Sequence, residues 1–439
     1  MPAGPQRKLG LFDCTAIVIG AVVGAGIFET TPAVASATGS GAMLLAVFAF
    51  GGLVALAGAL SLAELAARYP VDGGDFEYLH RAWGPRMGFM FVWCGFWLVR
   101  PANIGAMALI FGRYAQSLVP LGGPAPLLSY ALLAVLALTA VNLAGVRASL
   151  GAQNLLTVLK VAGLLLIAAV GLTQFGAPPV EVSAPAGEPD PGLALILVLF
   201  TYGGWNVIAY VAAEVEQPER NITRGLLLGT ASIVAIYLAV NLGYLAALGF
   251  NGVAASESVA ADIMTGWFGA AGSRLVSAAI ALSCLGTIHA MLFTNARLYF
   301  ALGRRHRVYR WVGQWHARLD CPARALALQG LMTALVLVVI GGNRDAFERL
   351  VVFTAPMHWF FFSFTLASLF VFRRRIATPS PYRVPAYPLL PLAALGATLL
   401  MLVAALDYAL ANLHLGLAII GLVVVSGFIA SRSAAAPAP

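Results

Sequence analysis

The residues of this chain that could do chemistry stand out by interrupting a pattern. Val22-Val23-Gly24-Ala25-Gly26-Ile27 lies in the middle of the first apolar segment. A helix crossing hydrocarbon must satisfy every backbone group internally. Gly costs on the order of 1 kcal/mol relative to Ala in a helix interior. Two glycines around one small residue let the backbone leave helical geometry and let another group approach it closely. A helix broken there offers the carbonyls of Val22 and Val23 from one half and the N–H groups of Ala25, Gly26 and Ile27 from the other. Carbonyls attract a cation and helix N-termini an anion. An amino acid carries both charges. The competing reading is a small-residue packing face without a ligand.

A second interruption, Phe200-Thr201-Tyr202-Gly203-Gly204-Trp205-Asn206, falls in the sixth apolar segment. Two broken segments five helices apart lie in opposite membrane orientations. Paired glycine-interrupted segments point to an inverted-repeat transporter and its binding site. Lys160 stands midway along the fifth segment, about 13 Å of helix from the nearest end. Its ammonium there suits holding the broken first segment in place of a coupling cation, with snorkelling to the surface as the alternative. Arg100-Pro101 combines a charge with a kink in the third segment, as a structural ion pair or a substrate contact. His289 and His358 are candidates for proton handling, against the plainer reading of hydrogen-bonded packing residues. Glu64 and Arg297, near helix ends, read as structural charges with partners on the inner side.

The elements that must position these residues follow from composition. Of 439 residues, 60% are hydrophobic and 10% charged, with a mean hydropathy of +0.87. A soluble domain carries roughly 25% charged residues. The chain therefore reads as an all-α polytopic membrane protein, and the short alternating segments of a barrel are not seen. Twelve segments near the roughly 20-residue spanning length fall at about 13–37, 42–67, 87–118, 127–145, 152–172, 193–216, 225–249, 272–303, 323–341, 347–371, 386–406 and 412–431. Most basic residues, from Arg7 and Lys8 through Arg304, Arg305 and Arg310 to Arg432, fall on one side of that arrangement. Arg274, Arg344 and Arg349 fall on the other, with Arg113 at a helix end. The positive-inside rule then places both termini in the cytoplasm. The net charge of +8 reflects this topology and not nucleic-acid binding. The first segment is too long for a cleaved signal.

The 174–192 stretch, with Glu181, Glu188 and Asp190, reads as an outer loop. The inner 69–85 stretch, with Asp72-Gly73-Gly74-Asp75-Phe76-Glu77-Tyr78, reads as a re-entrant or interfacial loop. The basic 304–324 stretch suits contact with anionic lipid. Cys14, Cys94, Cys284 and Cys321 form no metal spacing and no expected disulfide. No phosphate loop, zinc-ligand spacing or nucleophile elbow occurs. An enzyme, an ATP-driven pump and a cofactor or metal are not expected.

These motifs resemble the amino acid–polyamine–organocation (APC) superfamily. Gly24-Ala25-Gly26-Ile27-Phe28 is similar to its first-helix signature. Phe200 through Asn206, followed by Glu214 through Asn221, resembles the sixth helix of its L-type amino acid transporters and their bacterial relatives. Gly73 through Tyr78, Arg100-Pro101 and Leu292 through Leu298 look similar to further motifs. The resemblance implies the leucine-transporter fold, with helices 1 and 6 broken. Residues 1–172 would form one five-helix repeat, 193–371 its inverted copy, and 386–431 two further helices.

By the same resemblance, the amides of Ala25, Gly26 and Ile27, with Gly24 beside them, hold a substrate carboxylate. The carbonyls of Val22, Val23 and Phe200 hold its ammonium. Phe200 gates the outer side, and Asn206 secures the sixth helix or the substrate, with Tyr202 in the same break. Lys160 occupies a cation position. Met107, Gly203, Thr354 and His358, with His289, fall to specificity. Thr354 replaces a common bulky aromatic, and His358-Trp359 a common Asn-Trp. The short 119–127 loop has no cysteine, so no disulfide-linked accessory subunit is expected. The implied activity is sodium-independent exchange of neutral amino acids across the cell membrane. The alternatives are proton-coupled symport and a non-transporting sensor.

Overall fold

The computed structural model describes residues 5–174, 189–340, 346–376, 378–412 and 414–434. The first apolar stretch forms α1 (Leu11–Val22), α2 (Gly26–Glu29) and α3 (Thr31–Thr38). Asp13 opens it by accepting the Gly10 N–H at 2.9 Å. Next come α4 (Gly41–Arg68), α5 (Asp75–Trp83) and α6 (Pro85–Cys94), then a π-helical turn over Gly95–Val99 and α7 (Arg100–Leu118). Ser40 caps α4 by accepting the Met43 N–H at 3.2 Å. The bundle continues with α8 (Pro126–Leu143), α9 (Val146–Leu172) and α10 (Pro191–Thr201). A 3-10 segment over Trp205–Glu214 follows α10. The rest is α11 (Pro218–Ala255), α12 (Val259–Phe268), α13 (Ala270–Arg305), α14 (Ala323–Ile340), α15 (Ala346–Arg375), α16 (Leu389–Asn412) and α17 (His414–Ala434).

Eleven helical stretches are long and apolar enough to cross a membrane, among the described residues. They coincide with the first eleven expected segments. The twelfth expected segment is helical as α17, and its apolar part, Ala418–Arg432, is shorter. Large apolar side chains such as Leu133, Leu155, Val339 and Leu422 lie exposed on the outside of the bundle, where only a bilayer gives them an apolar solvent. The protein is an all-helical, multi-pass membrane protein.

Several details depart from the expected outline. The 69–85 stretch is not an open loop: it folds into α5, with Asp75, Phe76, Glu77 and Tyr78 buried. The kink at Arg100-Pro101 takes the form of the preceding π turn, where the Arg100 N–H donates to Gly95 O, just before the proline that has no N–H to continue the helical ladder. The seventh segment runs on past Gly249, where φ of +66° bends α11. A helix not expected from sequence, α12, follows it. Of the expected outer loop, Glu181 and Glu188 lie outside the described residues, as does Arg344. Asp190 caps α10 by accepting the Leu193 N–H at 3.0 Å.

The core is built around α1, which packs against α9, α11, α13 and the 3-10 segment. The chain before α1 closes one end of the bundle, here the N-terminal face. Leu9 forms a parallel bridge with Val215.

Candidate substrate site

The first interruption is present where the glycines predict it. Helix α1 stops at Val22, and α2 starts at Gly26 with Ala25 as its N-cap. Among the described residues, the N–H groups of Ala25, Gly26 and Ile27 have no hydrogen-bond acceptor. Three adjacent amides at a helix start form a ready anion site.

The carbonyls on the other side already accept hydrogen bonds. Lys160 reaches across from α9, 1% exposed, and donates to Val23 O at 2.6 Å and Gly20 O at 2.9 Å. Its ammonium also lies 3.3 Å from the Thr287 hydroxyl. Ser283 donates to the carbonyls of Val23 and Gly24 at 3.0 and 3.2 Å. Val22 O takes the Gly24 N–H at 2.9 Å, with the Tyr237 hydroxyl 3.4 Å away. The Val23 carbonyl therefore faces Lys160. Ser283 and Thr287 did not emerge from the sequence. Their signal was an i, i+4 hydroxyl pair in an apolar helix with Gly286 between them. A Cβ at Gly286 would stand 2.8 Å from Lys160 Cε.

The second interruption faces the first. Gly204 has φ of +109°, a left-handed conformation that suits glycine. A Cβ there would meet Ala21 O at 3.3 Å. The Thr30 and Thr201 hydroxyls lie 2.9 Å apart, joining the halves of the two broken helices away from the N-terminal face. A Cβ on Gly26 would touch Thr201 at 3.4 Å, and one on Gly24 would lie 3.6 Å from the Met107 sulfur. Met107, Thr287, Thr201 and both breaks are thus one neighbourhood.

The remaining candidates separate. Phe200 is 40% exposed, and its carbonyl takes the Gly203 N–H at 3.0 Å. Tyr202 is buried between Phe48 and Tyr237, with ring centroids 6.4 and 5.1 Å away. A small cavity of about 40 Å³ lies beyond Gly203 and Gly204, lined among others by Tyr202, Asn206, His358 and Met401. The His358 ring stacks on Phe362. Thr354 bonds Asn103 at 3.2 Å, one turn from Met107. His289 is not at the breaks: it pairs with Gln153 at 2.9 Å, two turns before Lys160 on α9.

Charged residues close the N-terminal face. Arg297 and Glu214 form a fully buried pair with contacts of 2.7 and 3.0 Å. Glu64 accepts Arg373 at 2.9 and 2.5 Å. Arg100 has no carboxylate at ion-pair distance among the described residues. Its guanidinium donates to the Tyr210 hydroxyl at 3.1 Å and lies over the rings of Phe91 and Tyr210. All four cysteines are buried and free.

The structure is thus a membrane-spanning helical bundle in which two helices are interrupted side by side. Residues 9–429 match the profile of the amino acid permeases, and the chain belongs to that family, which transports amino acids and is not an enzyme family. It is 30% identical over 392 residues to "Large neutral amino acids transporter small subunit 2" of Mus musculus, covering 86% of this chain and 73% of that protein. It is 28% identical to the "Serine/threonine exchanger SteT" of Bacillus subtilis, covering 91% of each. It is 27% identical to the human "b(0,+)-type amino acid transporter 1", covering 87% and 79%.

Proposed function

We propose that this permease exchanges neutral amino acids across the cell membrane without sodium, by alternating access. The observation carrying this reading is Lys160: its ammonium fills the carbonyl cage of the broken first helix, where a coupling cation would otherwise sit. The free amides of Ala25, Gly26 and Ile27 take the substrate carboxylate. The substrate ammonium goes to the carbonyl side around Val22 and Phe200. Its side chain points towards Met107 and Gly203, with Thr354 and His358 behind. Phe200, exposed at the end of α10, closes over the site. The exchanger and transporter names of the relatives agree with this assignment.

Two inverted five-helix repeats, residues 1–172 and 193–371, with two added helices, 386–431, are the arrangement in which such breaks pair. Both termini then lie in the cytoplasm, and the N-terminal face is the inner one. A second reading, proton-coupled symport, draws on a buried Lys160 whose hydrogen-bond partners are all neutral oxygens.

The test is uptake of a labelled amino-acid panel into liposomes, with and without internal amino acid, sodium or a pH gradient. Exchange predicts uptake that requires internal amino acid and ignores sodium. Uptake into empty, acid-outside liposomes would select symport instead. Binding with no uptake under any condition would replace both with a sensor.

A further inference from the structure

Three arginines that the substrate site does not use come together at one edge of the bundle. Helix α17 packs on α6. The Trp93 indole N–H donates to Val423 O at 3.1 Å, and a Cβ on Gly427 would lie 2.8 Å from the Met90 sulfur. Contacts step back along α6 as α17 advances, so the two helices run antiparallel. Arg86 precedes Met90 in the first turn of α6, and Arg432 follows Gly427 in the last turn of α17. These offsets are about 6 and 8 Å of helix, so both arginines reach the same end of the pair at nearly the same depth. A third element joins them. Tyr309 packs on Phe89 and Trp93, with ring centroids 5.9 and 6.4 Å away, and its carbonyl accepts the Val312 N–H at 2.9 Å. That turn carries Arg310. Arg86, Arg310 and Arg432 are all exposed.

Among the described residues, no carboxylate balances these charges. The described parts of α6, α17 and the 306–322 stretch carry a single carboxylate, Asp320, and it is taken by Lys8 and by the Trp315 indole. On the neighbouring α5, Glu77 is taken by Arg81 and Arg305. The same elements expose large apolar side chains: Val308 is 59% exposed, Trp311 49% and Trp97 44%, and Phe428 and Ile429 of α17 are exposed as well. A soluble anion gains nothing from that surface. A phospholipid does, because its headgroup meets arginine at the membrane interface while its chains meet the apolar surface below. We propose that the edge where α6, α17 and the 308–311 turn meet binds an anionic phospholipid, with Arg86, Arg310 and Arg432 around its headgroup and Trp97 along its acyl chain.

The dimensions agree with such an occupant. Trp97 lies about three turns beyond Arg86 along the third segment, roughly 16 Å, against a hydrocarbon core of about 30 Å. A lipid with its phosphate at Arg86 therefore brings its chain past Trp97. Arginine suits that phosphate, since its planar fork offers paired hydrogen bonds, and clustered cations at a membrane surface attract anionic lipid. Three other arginines nearby are engaged within the protein. Arg324 donates to Trp311 O at 3.2 Å and so steadies the turn. Arg304 lies over the Phe300 ring at 5.8 Å, and Arg305 holds Glu77. Arg220 and Arg224 of α11 are also exposed, but they follow the exposed Glu216 and Glu219, which offset their charge. They serve as the control for basic residues in general.

The experiment is tryptophan quenching by lipids with dibrominated chains. The whole chain is reconstituted at fixed salt into vesicles of phosphatidylcholine with rising fractions of phosphatidylglycerol, one or the other brominated. The unaltered protein should associate with phosphatidylglycerol at least about threefold more strongly than with phosphatidylcholine. Arg86→Gln, Arg310→Gln and Arg432→Gln together should bring that ratio to about one. Lysine at the same three positions should keep most of it, because the charge remains. Trp97→Phe should remove much of the selective quenching, and Arg220→Gln with Arg224→Gln should leave the ratio unchanged. If the triple glutamine variant does not insert, each single variant should still lower the ratio. Equal association of the two lipids with the unaltered protein would overturn the site. So would a ratio that survives the glutamine variants, or one that falls as far in the α11 control. Loss of the ratio on adding inorganic phosphate at constant ionic strength would replace the lipid with a soluble anion. Quenching reads binding alone, so the result stands apart from whether the protein exchanges amino acids.

Discussion

At the scale of single residues, Lys160 decides most. Desolvating an ammonium is expensive unless it is fully hydrogen-bonded. Here two backbone carbonyls and a hydroxyl satisfy it, and those carbonyls are available because α1 is interrupted. The charge and the break therefore depend on each other. Asn154 to Asp13 at 2.7 Å and Thr157 to Ala16 O at 3.1 Å extend the same row along α9, so α9 grips the inner half of the first helix along its length. Lys160→Ala leaves Gly20 O and Val23 O without that donor, each costing about 1–3 kcal/mol if buried and unpaired, while removing the burden of a buried charge. The protein should still fold and insert. Exchange should drop at least about tenfold, about 1.4 kcal/mol in the barrier, as the break loses its shape. Full-rate exchange in reconstituted Lys160→Ala would remove the residue from the mechanism.

At the scale of elements, the 3-10 segment shows what a sequence exposes and what it hides. Both breaks were legible, because glycine pairs inside an apolar run conflict with the need for unbroken helix. The winding beyond the second break was not. It depends on Asp75, 131 positions from Asn206, and on Arg297, 83 positions from Glu214, and no local pattern encodes such pairings. The π turn before Arg100 and the folding of 69–85 into α5 were hidden for the same reason: buried partners on other helices select them. His289 kept two readings, proton handling and a hydrogen-bonded packing residue, because the sequence could not place Gln153 against it. The Arg297–Glu214 pair anchors the far end of the 3-10 segment with both side chains essentially inaccessible. Breaking it from one side strands a buried charge, which costs about 3–5 kcal/mol. Arg297→Met should therefore lower the thermal unfolding midpoint sharply. Arg297→Met combined with Glu214→Gln should recover much of the loss. Additive losses in the double variant would mean that the pair does not act as a unit.

At the scale of the whole molecule, alternating access requires the two faces to open in turn, and the structure ties them unequally. Away from the N-terminal face, the Thr30 and Thr201 hydroxyls join two broken helices to each other, so those halves can move together without separating. On the N-terminal face, the contacts join elements that must part. The Lys8 and Leu9 N–H groups donate to Glu214 O at 2.8 and 3.0 Å, and the Glu216 N–H returns to Leu9 O at 2.9 Å. Lys8 pairs with Asp320 at 2.5 Å, fastening the start of α1 to the segment before α14. Leu9 and Val215 are bridge partners and fully buried. Adjacent extended chains run about 4.8 Å apart, within the reach of a disulfide. A Leu9→Cys/Val215→Cys pair, oxidised in the membrane, should abolish exchange, and reductant should restore it. Each single cysteine should transport in both conditions, which separates a locked face from a damaged one. Undiminished exchange by the cross-linked protein would mean that the site reaches this side without α1 leaving the sixth segment.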